Sequence, residues 1–237
     1  MPAKNRIKEY IEDGYYHLYN RGVDKRIIFT EPQDYAVLLS YLKTYLLPKN
    51  EEELREKLDD PNMDYKTKDN ILKILRLNNF NETLDLLVYC LMPNHFHFLI
   101  HQTWAETIDK FMNSLCTRYS MYFNRKYKRV GPLFQGVYKA VLVESEEQLL
   151  HLSRYIHAQA LGLQGLALQT KQPSSYPNYL GQTSQEWVKP DQILSFFKTA
   201  RRRGRGDFLS YQSFVEDYKE EELDLAIINK LTLEKRG

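Results

Sequence analysis

Apolar positions along the chain recur with two different periods. "YYHLYNRG", from Tyr15 to Gly22, alternates aromatic and polar residues and stops at a glycine, which predicts a strand followed by a turn. A helix is predicted from about Glu31 through "DYAVLLSYLKTYLL", ended by Pro48. Residues 49–80 are highly charged with scattered leucines and read as one or two surface helices inserted between core elements. "LDLLVYCLMP" and "HFHFLIHQ" are two strands joined by a tight Pro-Asn turn, hence an antiparallel hairpin. From about Ala105 to Tyr127, Ile108, Phe111, Met112, Leu115, Tyr119 and Tyr122 recur at helical spacing. "GVYKAVLVE" predicts another strand. "SEEQLLHLSRYIHAQALG" predicts a helix opened by Ser145, with acid in its first turn, and closed near Gly162.

The order strand, helix, strand, strand, helix, strand mixes a hairpin with crossovers. It predicts an α+β fold built on a ferredoxin-like antiparallel sheet with helices on one face, carrying a helical insert at about 49–80. Residues 1–165 are expected to form this domain. Residues 166–237 form a C-terminal extension, turn-rich around Pro173, Pro177, Gly181 and Pro190 and then helical around the basic run Arg201–Arg205, a candidate DNA arm or loop.

Three of the six histidines fall in one strand, at His95, His97 and His101. Residues two apart on a strand share a face, so these three stand opposite Phe96, Phe98 and Ile100. The phenylalanine face predicts the core, which leaves His95 and His97 side by side and able to chelate one ion. His101 lies about 20 Å from His95 along the strand, too far to share that ion, and reads as a DNA or solvent contact. A lone His-x-His is equally compatible with solvated imidazoles on a half-exposed strand, so a third ligand is needed. The helix from Ser145 supplies one, because His151, Tyr155 and Gln159 are spaced by four and stack on one side. If it crosses the histidine face, Gln159 completes a two-imidazole, one-oxygen set. Tyr155 then lies about one turn (roughly 5 Å) away as a phenolic nucleophile. Such a mixed set with open positions suits Mg²⁺ or Mn²⁺ whose remaining ligands are phosphate oxygens.

Composition changes the picture in two places. Tyrosine is abundant, 18 residues against 10 glycines, which suits stacking on unpaired bases as well as the edges of a core. The net charge of +2 implies nothing about partners, but the cations cluster. "NRKYKR" holds Arg125, Lys126, Lys128 and Arg129; Arg21, Lys25 and Arg26 follow the first strand; Arg118, Lys139 and Arg154 are expected near the site. Cys90 and Cys116 form neither a zinc-type pair nor a disulfide framework. No apolar signal core, membrane-length apolar run or Gly-rich phosphate loop is present, so a protein of a reducing compartment without a membrane partner is expected.

Four segments in order, "YHLYNRG", "YCLMPNHFHFLI", "YFNRKYKRVGPLFQGVYKAVLVE" and "RYIHAQALG", resemble the REP-associated tyrosine transposases, within the single-tyrosine HUH endonucleases. The resemblance covers roughly residues 14–162. It implies that His95 and His97 bind the metal and that Tyr155 is the nucleophile. Gln159 stands where these transposases carry asparagine and resembles the single-tyrosine insertion-sequence transposases instead, which leaves the ligand geometry open by one methylene.

The implied reaction is metal-dependent cleavage and rejoining of single-stranded DNA at hairpin-forming repetitive palindromic elements, through a 5′-phosphotyrosine. His151 or His157 is a candidate proton acceptor, and Asn20 and Arg21 are candidates for contacts to the hairpin or its flank. The resemblance further implies a monomer or homodimer, cytoplasmic in a bacterial-type cell and nucleoid-associated when on DNA.

Three other readings stand beside it. One is a domesticated binder of structured single strands that does not cut. Another is a relaxase- or replication-initiator-type nickase using Tyr41 and Tyr45. The third is a metallohydrolase built on His95, His97 and His101.

Overall fold

The computed structural model describes residues 10–163, 171–203, 210–217 and 231, with the side chains of residues 199–203 outside the description. Four strands form one antiparallel sheet: β1 (Gly14–Arg21), β2 (Leu84–Met92), β3 (His95–Gln102) and β4 (Lys139–Val143). Their spatial order is β2-β3-β1-β4, with every neighbouring pair antiparallel. This is the ferredoxin-like arrangement expected from the order of elements.

Helix α1 (Pro32–Leu46) and helix α4 (Thr107–Lys126) cover the face that carries Phe96, Phe98 and Ile100. Burying each of these side chains contributes about 1.5–3 kcal/mol, which fixes the register of β3, since a one-residue slip would exchange them with the histidines. The charged insert folds as two helices, α2 (Glu51–Leu58) and α3 (Tyr65–Arg76), capped by Asn50 and Asp64.

The opposite face is covered by α5 (Glu146–Leu161) together with α6 (Tyr176–Tyr179), α7 (Asp191–Arg203) and α8 (Tyr211–Glu216). Ser145 caps α5 through the backbone N–H of Gln148, and Gly162 ends it at φ +74°, the left-handed conformation that glycine adopts without a Cβ clash. The extension also closes the open edge of β2. Leu91 donates to the Pro173 carbonyl, Ser175 to the Tyr89 carbonyl and Lys189 to the Leu86 carbonyl. An edge strand so paired offers no free ladder to another chain.

The Pro93-Asn94 turn that launches β3 is held by the loop after β1. Gly22 donates to the Asn94 carbonyl, and Ile28 and Phe29 both donate to the Pro93 carbonyl. Only glycine fits at position 22, because a Cβ there would lie 2.3 Å from the Arg26 carbonyl oxygen. The start of β3, and therefore His95, is thus placed by backbone rather than by side-chain packing. Among the described residues no helix is long and apolar enough to cross a membrane.

Candidate active site

Strand β3 presents His95, His97 and Leu99 to the face crossed by α5. Its partner β1 lays Tyr15, His17 and Tyr19 on the same face, with Tyr19 directly opposite His97 and Arg21 opposite His95. The His95 and His97 rings stand edge to face at 4.9 Å between centroids. From α5, the Tyr155 ring meets that of His97 edge-on at 6.0 Å. One turn later Gln159 donates from Nε2 to the Tyr155 hydroxyl at 2.8 Å, while its Oε1 is buried without a hydrogen-bond partner.

Hydrogen bonds settle which ring nitrogens carry protons. The Leu231 carbonyl can only accept, so His17 donates to it from Nδ1 at 2.8 Å. Burial keeps His17 neutral, its pKa pushed down to about 4 against the small opposing effect of the Leu231 bond. Neutral His17 then accepts at Nε2 from the Nδ1–H of His97, also at 2.8 Å. His97 is held well below the ordinary histidine range by burial, and by the neighbouring His95 and His17. Asn94 donates its amide to the Lys25 carbonyl, so its Oδ1 faces His95 and accepts from Nδ1 at 2.6 Å. Both His95 and His97 therefore keep their Nε2 lone pairs when neutral, as metal ligands require.

Among the described residues no three histidine, cysteine or acidic side chains gather as a metal site. What the described contacts link is His95 to His97, His97 to Tyr155, and Tyr155 to Gln159. An orphaned buried carbonyl oxygen on Gln159 costs about 1–3 kcal/mol unless something coordinates it. The residues fit a hard divalent cation: His95 and His97 would hold it through nitrogen and Gln159 through oxygen.

The other predicted residues divide by face. Lys139 is exposed and lies opposite Tyr19, on the rung of His97, and Arg21 donates to Gln135 beside His95. These two cations rim the site. Arg125 and Lys128 are exposed at the end of α4, Arg129 donates to Asn124, and Arg26 donates to the Val23 carbonyl.

Four residues named from the sequence as DNA contacts are engaged elsewhere. Arg118 lies 3.8 Å over the Tyr41 ring, between α4 and α1 on the opposite layer. Lys126 is tied to Asp34 at 2.6 Å and to Glu31. Arg154 is buried against Phe214 of α8 and bonds His151. Asn20 is buried, its Oδ1 accepting from Arg21 N and its Nδ2 donating to the Gly136 carbonyl.

His157 is also turned away from the phenol. It bonds the Tyr211 hydroxyl and Ser175 within the extension, and burial pushes its pKa down to about 3. His101, expected as a DNA or solvent contact, sits instead between Asp85 and Asp13, which raise its pKa. Tyr41, Tyr45, Tyr119 and Tyr122 belong to the α1/α4 layer, with Tyr45 bonded to Ser114, Tyr119 to the Ile28 carbonyl and Tyr122 to Asp34. The run Arg201–Arg205 has no side chain among the described residues.

Sequence reasoning missed two residues on the histidine face, His17 and Tyr19. Tyr19 stacks on His17 at 4.8 Å and on His97 at 5.6 Å. The alternation of "YYHLYNRG" was the available signal, but only the β1–β3 register shows that these residues share the face of His97.

Residues 54–159 match the model of the IS200-like transposase family. The match begins in the insert and ends on Gln159, so it takes in His95, His97 and Tyr155. Over those residues the chain is similar to the IS200-like transposases. Among solved structures it is similar to a REP-associated tyrosine transposase bound to a REP hairpin, with TM-score 0.46, 10% identity, and 78% of this chain and 96% of that one covered. A chain from Deinococcus radiodurans R1 described as a transposase is also similar, with TM-score 0.27, 18% identity, and 65% and 97% covered. No curated protein matches. The activity general to that family is DNA strand transfer.

Proposed function

We propose that the protein is a transposase that cleaves and rejoins single-stranded DNA bearing a hairpin, through a covalent 5′-phosphotyrosine on Tyr155. The observation that carries the reading is the chain of contacts in which Gln159 bonds the Tyr155 hydroxyl with its own Oε1 left bare, and the Tyr155 ring meets that of His97, beside His95. Tyr155 Oη attacks phosphorus in line. The new bond is P–O(Tyr155), the P–O3′ bond breaks, and the departing oxygen takes a proton to become a 3′-hydroxyl.

An unperturbed phenol has a pKa of about 10, so negative charge must be stabilised as it develops on Oη. The Gln159 N–H already points at that oxygen and needs no reorganisation to do so. A divalent cation, when bound, supplies Lewis-acid polarisation of the scissile phosphate. His95 and His97 hold their Nε2 lone pairs ready for it, and Arg21 and Lys139 on the rim neutralise flanking phosphates. The covalent intermediate conserves the energy of the broken bond, so a second 3′-hydroxyl can reseal it without a nucleotide.

The test is incubation with hairpin-bearing single-stranded DNA and Mg²⁺ or Mn²⁺. A protein–DNA adduct that forms with metal and is abolished by chelation supports the reading. Hairpin binding without any adduct, in protein shown to bind Mn²⁺, supports the non-cleaving binder instead.

A further inference from the structure

We propose that His17 is a positioning residue for the metal ligand His97, locking it into the tautomer that presents Nε2 to the cation. This rests on the metal reading above and extends it to a residue on a different strand. The bonds run in one direction: Leu231 carbonyl, His17 Nδ1–H, His17 Nε2, His97 Nδ1–H. Each partner has only one role open to it. A carbonyl cannot donate, which places the proton of neutral His17 on Nδ1. Its Nε2 is then an acceptor, which places the proton of His97 on Nδ1. The lone pair of His97 is left on Nε2.

The geometry is set by the sheet. His17 pairs with Leu99, two residues beyond His97 on β3, so it reaches His97 across the diagonal of the ladder. The two rings are near-parallel, 17° apart with centroids 5.0 Å apart, and both residues are buried. A buried imidazole pair bonded in this way has no water to exchange with, so the tautomer is held by the protein. His95 obtains the same lock from its chain neighbour Asn94. The two proposed nitrogen ligands are thus oriented by different means, one local in sequence and one 80 residues away. Outer partners of metal-binding histidines typically contribute 10- to 100-fold in metal affinity.

The experiment compares the full chain with His17→Leu and His17→Gln, without DNA. Long-range ¹H–¹⁵N correlation spectra of His97 read its tautomer in the metal-free protein, and titration with Mn²⁺ reads affinity. Wild type is expected to show His97 protonated on Nδ1. Leucine fills the space but accepts no hydrogen bond. His17→Leu should give mixed tautomers and weaken Mn²⁺ binding about tenfold or more. Glutamine restores an acceptor and should recover the wild-type tautomer and affinity to within about threefold.

Wild-type His97 protonated on Nε2 overturns the proposal whether or not the variants fold. So does a folded His17→Leu with unchanged tautomer and Mn²⁺ affinity, a result that leaves the metal reading standing. A wild type with the expected tautomer that takes up no Mn²⁺ overturns the metal reading itself, and His17 is then left with no ligand to orient.

Discussion

The two faces of the sheet bury their polar groups differently. On the α1/α4 face the interior is aromatic and aliphatic, and the one carboxylate buried there among the described residues, Asp34, is fully bonded. Asp34 accepts from Lys126, Tyr122, Tyr127 and the backbone N–H groups of Thr30 and Glu31. Burial pushes its pKa up, but these partners outweigh burial and leave it below the ordinary carboxylate range. That arrangement fastens the end of α4 to the start of α1 and leaves nothing over.

The α5 face buries His17, His97, Tyr155 and Gln159 close together and leaves the Gln159 oxygen bare. Buried polar groups are normally satisfied; Arg118 Nη1 in the α1/α4 layer is a donor left without a hydrogen bond, whereas Gln159 Oε1 is a bare acceptor of the kind a cation needs. On the proposed reading, one face is built for stability and the other for chemistry.

Adjacent residues on β3 break this comparison most sharply. His97→Ala should abolish metal-dependent cleavage, a loss of at least about 10³-fold if the site works as a unit. Phe98→Ala points the other way. It should cost about 3–5 kcal/mol of stability yet leave cleavage per folded molecule near wild type. Denaturant melts and single-turnover cleavage on both variants read the contrast, and a Phe98→Ala that folds but does not cut would merge the two faces.

A smaller effect is expected from the rim. Removing Arg21 and Lys139 together should lower the slope of log affinity against log salt by roughly 1.4 on single-stranded DNA. Arg118→Ala, in the opposite layer, should leave that slope unchanged.

The smallest effect concerns His101, at the far end of the histidine strand. Its folded pKa is raised by Asp85 and Asp13 above the unfolded value of about 6.5. The stabilisation from these pairs is therefore complete below that value and lost as pH rises through the folded pKa. The difference in unfolding midpoint between wild type and His101→Gln should be larger at pH 6 than at pH 8.5, with cleavage by the folded variant unaffected.

What the sequence made legible was local. The alternation of "HFHFLIH" separates the imidazoles from the core, and the spacing of Tyr155 and Gln159 puts them one turn apart; both follow from the backbone period alone. The insert, the hairpin and both ends of α5 were readable for the same reason. Where Arg118, Lys126 and Arg154 pack was not, because charge says nothing about which layer a helix face meets. On α4, Arg118 lies one turn from Leu115 and Tyr122 and is drawn into the aromatic seam with Tyr41. On α5, Arg154 is covered by α8, whose docking depends on residues some 60 positions away. The contact of His17 with His97 was hidden for a similar reason, since it exists only through the register between β1 and β3.

The central claim is that the α5 face is the reacting face and Tyr155 its nucleophile, although Tyr19 stacks on His97 at a similar distance. The most direct measurement is peptide mapping by mass spectrometry of the covalent DNA adduct formed with Mn²⁺. The account predicts the phosphodiester on Tyr155 and no adduct in Tyr155→Phe. An adduct mapped to Tyr19 or to any tyrosine of the α1/α4 layer, or one that survives in Tyr155→Phe, would contradict it.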